Sequence, residues 1–76
     1  MTCYTVYLYD KDNDCYSNSF VCGTEEQART IAEGLEPLVK KDMIINREYH
    51  NEPFDWIEIM EYSNEGNKRI AVYPEG

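Results

Sequence analysis

The sequence predicts an α+β domain of order β-β-α-β-β, a four-stranded antiparallel sheet with one helix packed on one face. Three observations predict it. Four segments are rich in β-branched and aromatic residues and alternate in side-chain character with the period of a strand. They fall into two pairs, each joined by a short run of Asp, Asn or Gly suited to a turn. Between the pairs lies one stretch with helical spacing and a capping signal ahead of it.

Residues 3–9 (Cys-Tyr-Thr-Val-Tyr-Leu-Tyr) make the first strand, and residues 15–22 (Cys-Tyr-Ser-Asn-Ser-Phe-Val-Cys) return as the second. The polar run 10–14 between them is a hairpin tip, because Asp and Asn tolerate turn geometry. Gly23 breaks the strand, and Thr24-Glu25-Glu26-Gln27 matches a capping box. Glu25 and Glu26 occupy the first turn, where the helix dipole favours negative charge. Ala28, Ile31, Ala32, Leu35 and Val39 then form one apolar stripe. Pro37 cannot donate its backbone hydrogen bond, so a kink or break is expected there, with the last turn reforming toward Lys40 and Lys41. In the stretch 42–53, Met43-Ile44-Ile45 reads as a short strand or as an anchor to the core. Residues 54–62 make the third strand and 68–73 the fourth, ended by Pro74, with a turn at 63–67 in which Gly66 can take positive φ.

Strand parity divides the sheet into two faces. Val6, Leu8, Phe20, Cys22, Ile57, Ile59, Ile70 and Val72 suit the face toward the helix, where Ile31, Leu35 and Val39 would meet them. The opposite parity holds Tyr7, Tyr9, Trp56, Met60, Tyr62 and Tyr73, mixed with Thr5, Ser17, Ser19, Glu58 and Arg69. An open antiparallel face is normally polar, and this one is aromatic, the composition of interface cores. It packs among its own rings, pairs two copies in a homodimer, or meets a different partner.

The 76 residues suit a single domain, 1–76, and ten aromatic residues argue for a folded chain. No stretch approaches the ~20 apolar residues that span a bilayer. Met1–Val6 lacks the basic and apolar runs of a secretory signal, which predicts a cytoplasmic protein. Cys3, Cys15 and Cys22 have no metal or redox spacing. Cys3 and Cys22 would lie near one another on neighbouring strands, close enough for a disulfide, but a reducing compartment favours free thiols.

No catalytic constellation emerges, so no enzyme and no cofactor is expected. Asp10-x-Asp12-x-Asp14 imitates the start of a calcium loop, yet its sixth and twelfth positions are Cys15 and Val21, where Gly and Glu are required. His50 is the only histidine, too few ligands for zinc. Glu58 and Glu61 stand three apart on a strand and face opposite ways, so they cannot act as an acid/base pair. On the helix, Glu25, Arg29 and Glu33, and likewise Glu36 and Lys40, have the spacing of ordinary surface ion pairs.

Fifteen acidic against seven basic residues give a net charge of −8. That field repels nucleic acid and anionic membranes and favours a basic protein partner. Surplus acid also serves solubility alone. The unbalanced acid concentrates at Asp10, Asp12 and Asp14 and along Glu48, Glu52, Asp55, Glu58 and Glu61. In size, acidity and tyrosine content the chain is similar in character to small inhibitors of phages and mobile elements. Among these are anti-CRISPR and anti-restriction proteins that mimic DNA and fill the basic groove of a nuclease. The resemblance implies a binding role for the aromatic face, with Asp10, Asp12, Asp14, Glu58 and Glu61 beside it. The alternative is a homodimeric structural or regulatory subunit joined through that face.

Overall fold

Four strands and one α-helix follow in the predicted order in the computed structural model, which describes residues 1–39 and 54–74. They are β1 (Cys3–Asp10), β2 (Cys15–Cys22), α1 (Glu25–Leu35), β3 (Trp56–Ser63) and β4 (Gly66–Tyr73). The expected final helical turn at Lys40 and Lys41, the stretch 42–53 and His50 lie outside the described residues. The sheet order is β2-β1-β3-β4 and every neighbouring pair is antiparallel, so the two hairpins join through β1 and β3.

The helix begins where its cap dictates. Thr24 accepts from the Gln27 N–H at 3.1 Å. Gln27 reaches back, but to the N–H of Gly23 at 3.2 Å, one residue earlier than a capping box requires. At its other end α1 gives way to a 3₁₀ turn, Glu36–Leu38, with Pro37 inside it. The tighter turn accommodates the ring that an α-helix could not.

Alanines set the packing distance. Ala28 and Ala32 are fully buried, which brings the α1 backbone close to the sheet, while Ile31 and Leu35 pack partly buried on either side. From the sheet come Val6, Leu8, Ile57 and Ile59, all fully buried, with Cys22 and part of Phe20. Phe54 completes the core. It precedes β3, is fully buried, and is the largest side chain to be so among the described residues.

Two bulges change the parity on the outer strands. Leu8 pairs with Asn18 but Tyr9 with Tyr16, so β2 holds one more residue than β1 across that step. Ile59 pairs with Ala71 but Met60 with Arg69, so β4 is likewise one residue longer than β3. The central ladder between β1 and β3 is unbroken from Cys3–Tyr62 to Tyr9–Trp56.

The second bulge overturns an expectation from simple alternation. Tyr73 pairs with Ile57 and Ala71 with Ile59, which turns both toward the helix. Tyr73 is therefore a core residue, 8% exposed, and not part of the open face. Its hydroxyl accepts from Arg29 Nη1 at 3.3 Å, while Arg29 Nε donates to Glu25 at 2.7 Å, so a core tyrosine also ties sheet to helix. Val72, expected in the core, pairs with Glu58 and belongs to the open side. Cys3 and Cys22 also part company. Cys22 faces the core opposite Tyr4, whereas Cys3 has the opposite parity, and all three cysteines are free.

Candidate functional site: the uncovered sheet face

Opposite the helix, the regular β1–β3 ladder sets Thr5, Tyr7 and Tyr9 against Met60, Glu58 and Trp56. The first bulge adds a residue that the sequence reading placed on neither face. Tyr16 pairs with Tyr9 and so joins this face.

The rings pack as a continuous group. Tyr9 stacks on Trp56 with centroids 4.3 Å apart and planes 21° from parallel. Tyr16 lies 4.5 Å from Tyr7 and meets Tyr9 edge-on at 5.4 Å. Such cross-strand pairs each add about 0.5–1.5 kcal/mol beyond the area they bury. At the far end the hydroxyls of Tyr7 and Tyr62 meet at 2.7 Å. These two residues stand on either side of the Thr5–Met60 pair, and Thr5 is buried although it lies on the open face.

Hydrogen bonds hold the phenols as neutral donors. The Tyr7 hydroxyl, with burial second, pushes Tyr62 up to about 12. Tyr9 donates to Asp14, and that bond ahead of burial pushes Tyr9 up to about 12 as well. Burial first, then the Glu58 carboxylate, raises Tyr16. Glu58 accepts from Arg69 Nη1 at 3.0 Å and is only 7% exposed, so the charges of this face cancel at its centre.

The acidic positions separate into distinct roles. Asp10, expected to face a partner, is 3% exposed. Its carboxylate accepts from the backbone of Asp12 and Asn13 at 3.0 and 3.4 Å and from Asn13 Nδ2 at 2.6 Å. It shapes the hairpin tip from inside, because Asp side chains readily close turns over their own backbone. Asp12 and Asp14 are exposed, and Asp14 takes positive φ at 50°. Asp55, just ahead of β3, secures the tip, accepting from Lys11 N–H at 2.7 Å while its own N–H donates to the Tyr9 carbonyl at 2.7 Å. Glu61 lies on the helix side opposite Tyr4, near Lys68 at 3.8 Å, and so is not beside Glu58.

Among the described residues no group of three His, Cys, Asp or Glu is placed to hold a metal, and no helix is long and apolar enough to cross a membrane. Chemically the face offers flat rings, neutral phenol donors and one internal ion pair, which is equipment for contact. Comparison with protein families, with curated proteins and with solved structures found no match to this chain.

Proposed function

We propose that the chain is a small acidic binding protein of the inhibitor type, engaging a basic protein partner through the uncovered sheet face and the acid beside it. The observation that carries this reading is the face itself: Tyr7, Tyr9, Tyr16, Trp56, Met60 and Tyr62 form one surface opposite the helix. Tyr and Trp are enriched in interface cores, and stacking already holds these rings in place, so docking would sacrifice little side-chain entropy. The net charge of −8 draws a basic surface and steers its approach. A protein whose basic groove normally holds nucleic acid fits the description, and the chain would then act as a DNA mimic in the anti-CRISPR or anti-restriction manner. Free cysteines fit a reducing, cytoplasmic setting.

A second reading, a homodimer through the same face, is favoured by the Glu58–Arg69 pair. Because that pair neutralises the centre, two acidic copies could meet there without like charges in contact.

Light scattering across a concentration series, at low and moderate salt, separates the two readings. A concentration-independent dimer supports the homodimer. A monomer directs attention to a captured partner, titrated as a purified pair. Binding should weaken with salt, fall on charge reversal at Asp12 and Asp14, and disappear in the Tyr16→Ala/Trp56→Ala double variant. Binding indifferent to salt and to all these changes would sink the basic-partner reading.

A further inference from the structure

Strands β2 and β4 are the outer strands among the described residues. Outer strands usually carry charge, proline or bulges that discourage another strand from adding. β4 carries Lys68, Arg69 and a bulge. β2 carries neither charge nor proline, and beyond its bulge the segment 18–22 pairs regularly with β1.

One bond and the strand pairing fix which backbone groups β2 turns outward. The Tyr9 carbonyl accepts from Asp55, so Tyr9 faces β3, and by alternation Tyr4, Val6 and Leu8 face β2. Their partners Cys22, Phe20 and Asn18 use their backbone groups on β1, which leaves Ser19 and Val21 pointing away from the sheet. The N–H of Ser19 is closed by Asn18 Oδ1 at 2.8 Å, and that of Gly23 by Gln27 Oε1 at 3.2 Å. Val21 stands between these two capped positions, 75% exposed. It borders a groove of roughly 430 Å³ between β2 and α1, whose walls include Cys22, Glu26, Thr30 and Ile31.

We propose that this groove is a strand-addition site for an extended, basic segment of the partner. The segment pairs with the outward N–H and C=O of Val21, sets an apolar side chain toward Ile31, and presents a lysine or arginine to Glu26. Among the described residues Glu26 is the only charged one of the groove wall, and the charge of −8 per chain disfavours a second copy as occupant. The inference rests on the reading above that the partner is basic.

The test titrates a blocked hexapeptide of alternating Lys and Val into the isotope-labelled full chain, with a Glu–Val hexapeptide as control. Amide shifts and amide exchange are followed by NMR. The Lys–Val peptide should shift the Val21 amide and slow its exchange, and the Glu–Val peptide should bind about tenfold more weakly or worse. Val21→Pro removes an N–H that β1 does not use, and it should abolish the peptide-induced shifts read at the neighbouring Phe20 and Cys22 amides. Glu26→Lys should reverse the preference between the peptides, and it carries the test if the proline variant does not fold. A Val21 amide already protected in the free chain overturns the proposal, as does protection that grows with protein concentration, the mark of a second copy. Shifts at Tyr16 and Trp56 without Val21 would remove this site and leave the basic-partner reading standing. If neither peptide produces a shift, the site is also removed, and the salt dependence of partner binding then decides the wider reading separately.

Discussion

The hydroxyls of Tyr7 and Tyr62 meet at 2.7 Å although Tyr7 pairs with Glu58 and Tyr62 with Cys3. The two rings must lean toward each other along the face, so this bond reports the order of the whole aromatic surface. Hydrogen bonding, ahead of burial, holds Tyr62 at about 12, and Asp14 does the same for Tyr9. In the unfolded chain both phenols titrate near ~10. A phenol whose pKa is higher folded than unfolded adds stability that is complete below pH ~10 and is lost as pH rises toward ~12. The melting temperature should therefore hold from neutral pH to about 10 and fall beyond it. Tyr62→Phe should cost about 1 kcal/mol at neutral pH and flatten that fall. Ultraviolet titration of the tyrosinates checks it, and a single step at the free-phenol value would contradict it.

Glu58 depends on Arg69 for its charge partner at 3.0 Å. An exposed ion pair contributes little, but here the carboxylate side is buried. Arg69→Ala should destabilise by about 1–2 kcal/mol in urea unfolding, because it leaves a buried charge short of a donor. Glu58→Gln should cost less, and the double variant less than the sum of the two.

Phe54 and Tyr73 test the core. Phe54→Ala should cost about 3–5 kcal/mol, enough to unfold most of a small domain at room temperature. Tyr73→Phe keeps the ring and loses only the contact with Arg29, so its cost should stay within about 1 kcal/mol. Tyr73→Ala should approach the Phe54 result. A well-folded Tyr73→Ala protein would place that ring outside the core.

At the hairpin tip, Asp10 and Asp12 should behave oppositely. Asp10→Ala removes the acceptor for three donors and should cost about 1–2 kcal/mol. Asp12→Ala should stay within about 0.5 kcal/mol, as exposed substitutions usually do. Paired chemical denaturation curves decide it.

The elements were legible in the sequence because their signals are local. The Thr24 cap, the apolar stripe of α1 and the break at Pro37 each act within a few residues, and each appears in the structure. The alternation within β1 and β3 was equally legible, and because their ladder is unbroken Tyr7, Tyr9, Trp56, Met60 and Tyr62 share a face as expected, although the order of the strands was not legible. The outer strands were not. A bulge leaves no mark in hydrophobic alternation, yet it reverses every side chain beyond it. Tyr73 was consequently assigned to the wrong face, and Tyr16 was left out of the open one. Asp10 was obscured differently: as one of three similar carboxylates, it is distinguished only by the chain folding back over it.

Both bulges place their extra residue on an outer strand, while the central pair keeps its register. The contact surface is thus encoded partly by strand length. Were β2 to run on regularly past Asn18, Tyr16 would oppose Asp10 and fall on the helix side, with β1, β3 and the residues between them and the helix unchanged. The aromatic face therefore depends on backbone register as well as on side-chain identity, and a substitution that straightened β2 would dismantle it while leaving every ring in the sequence.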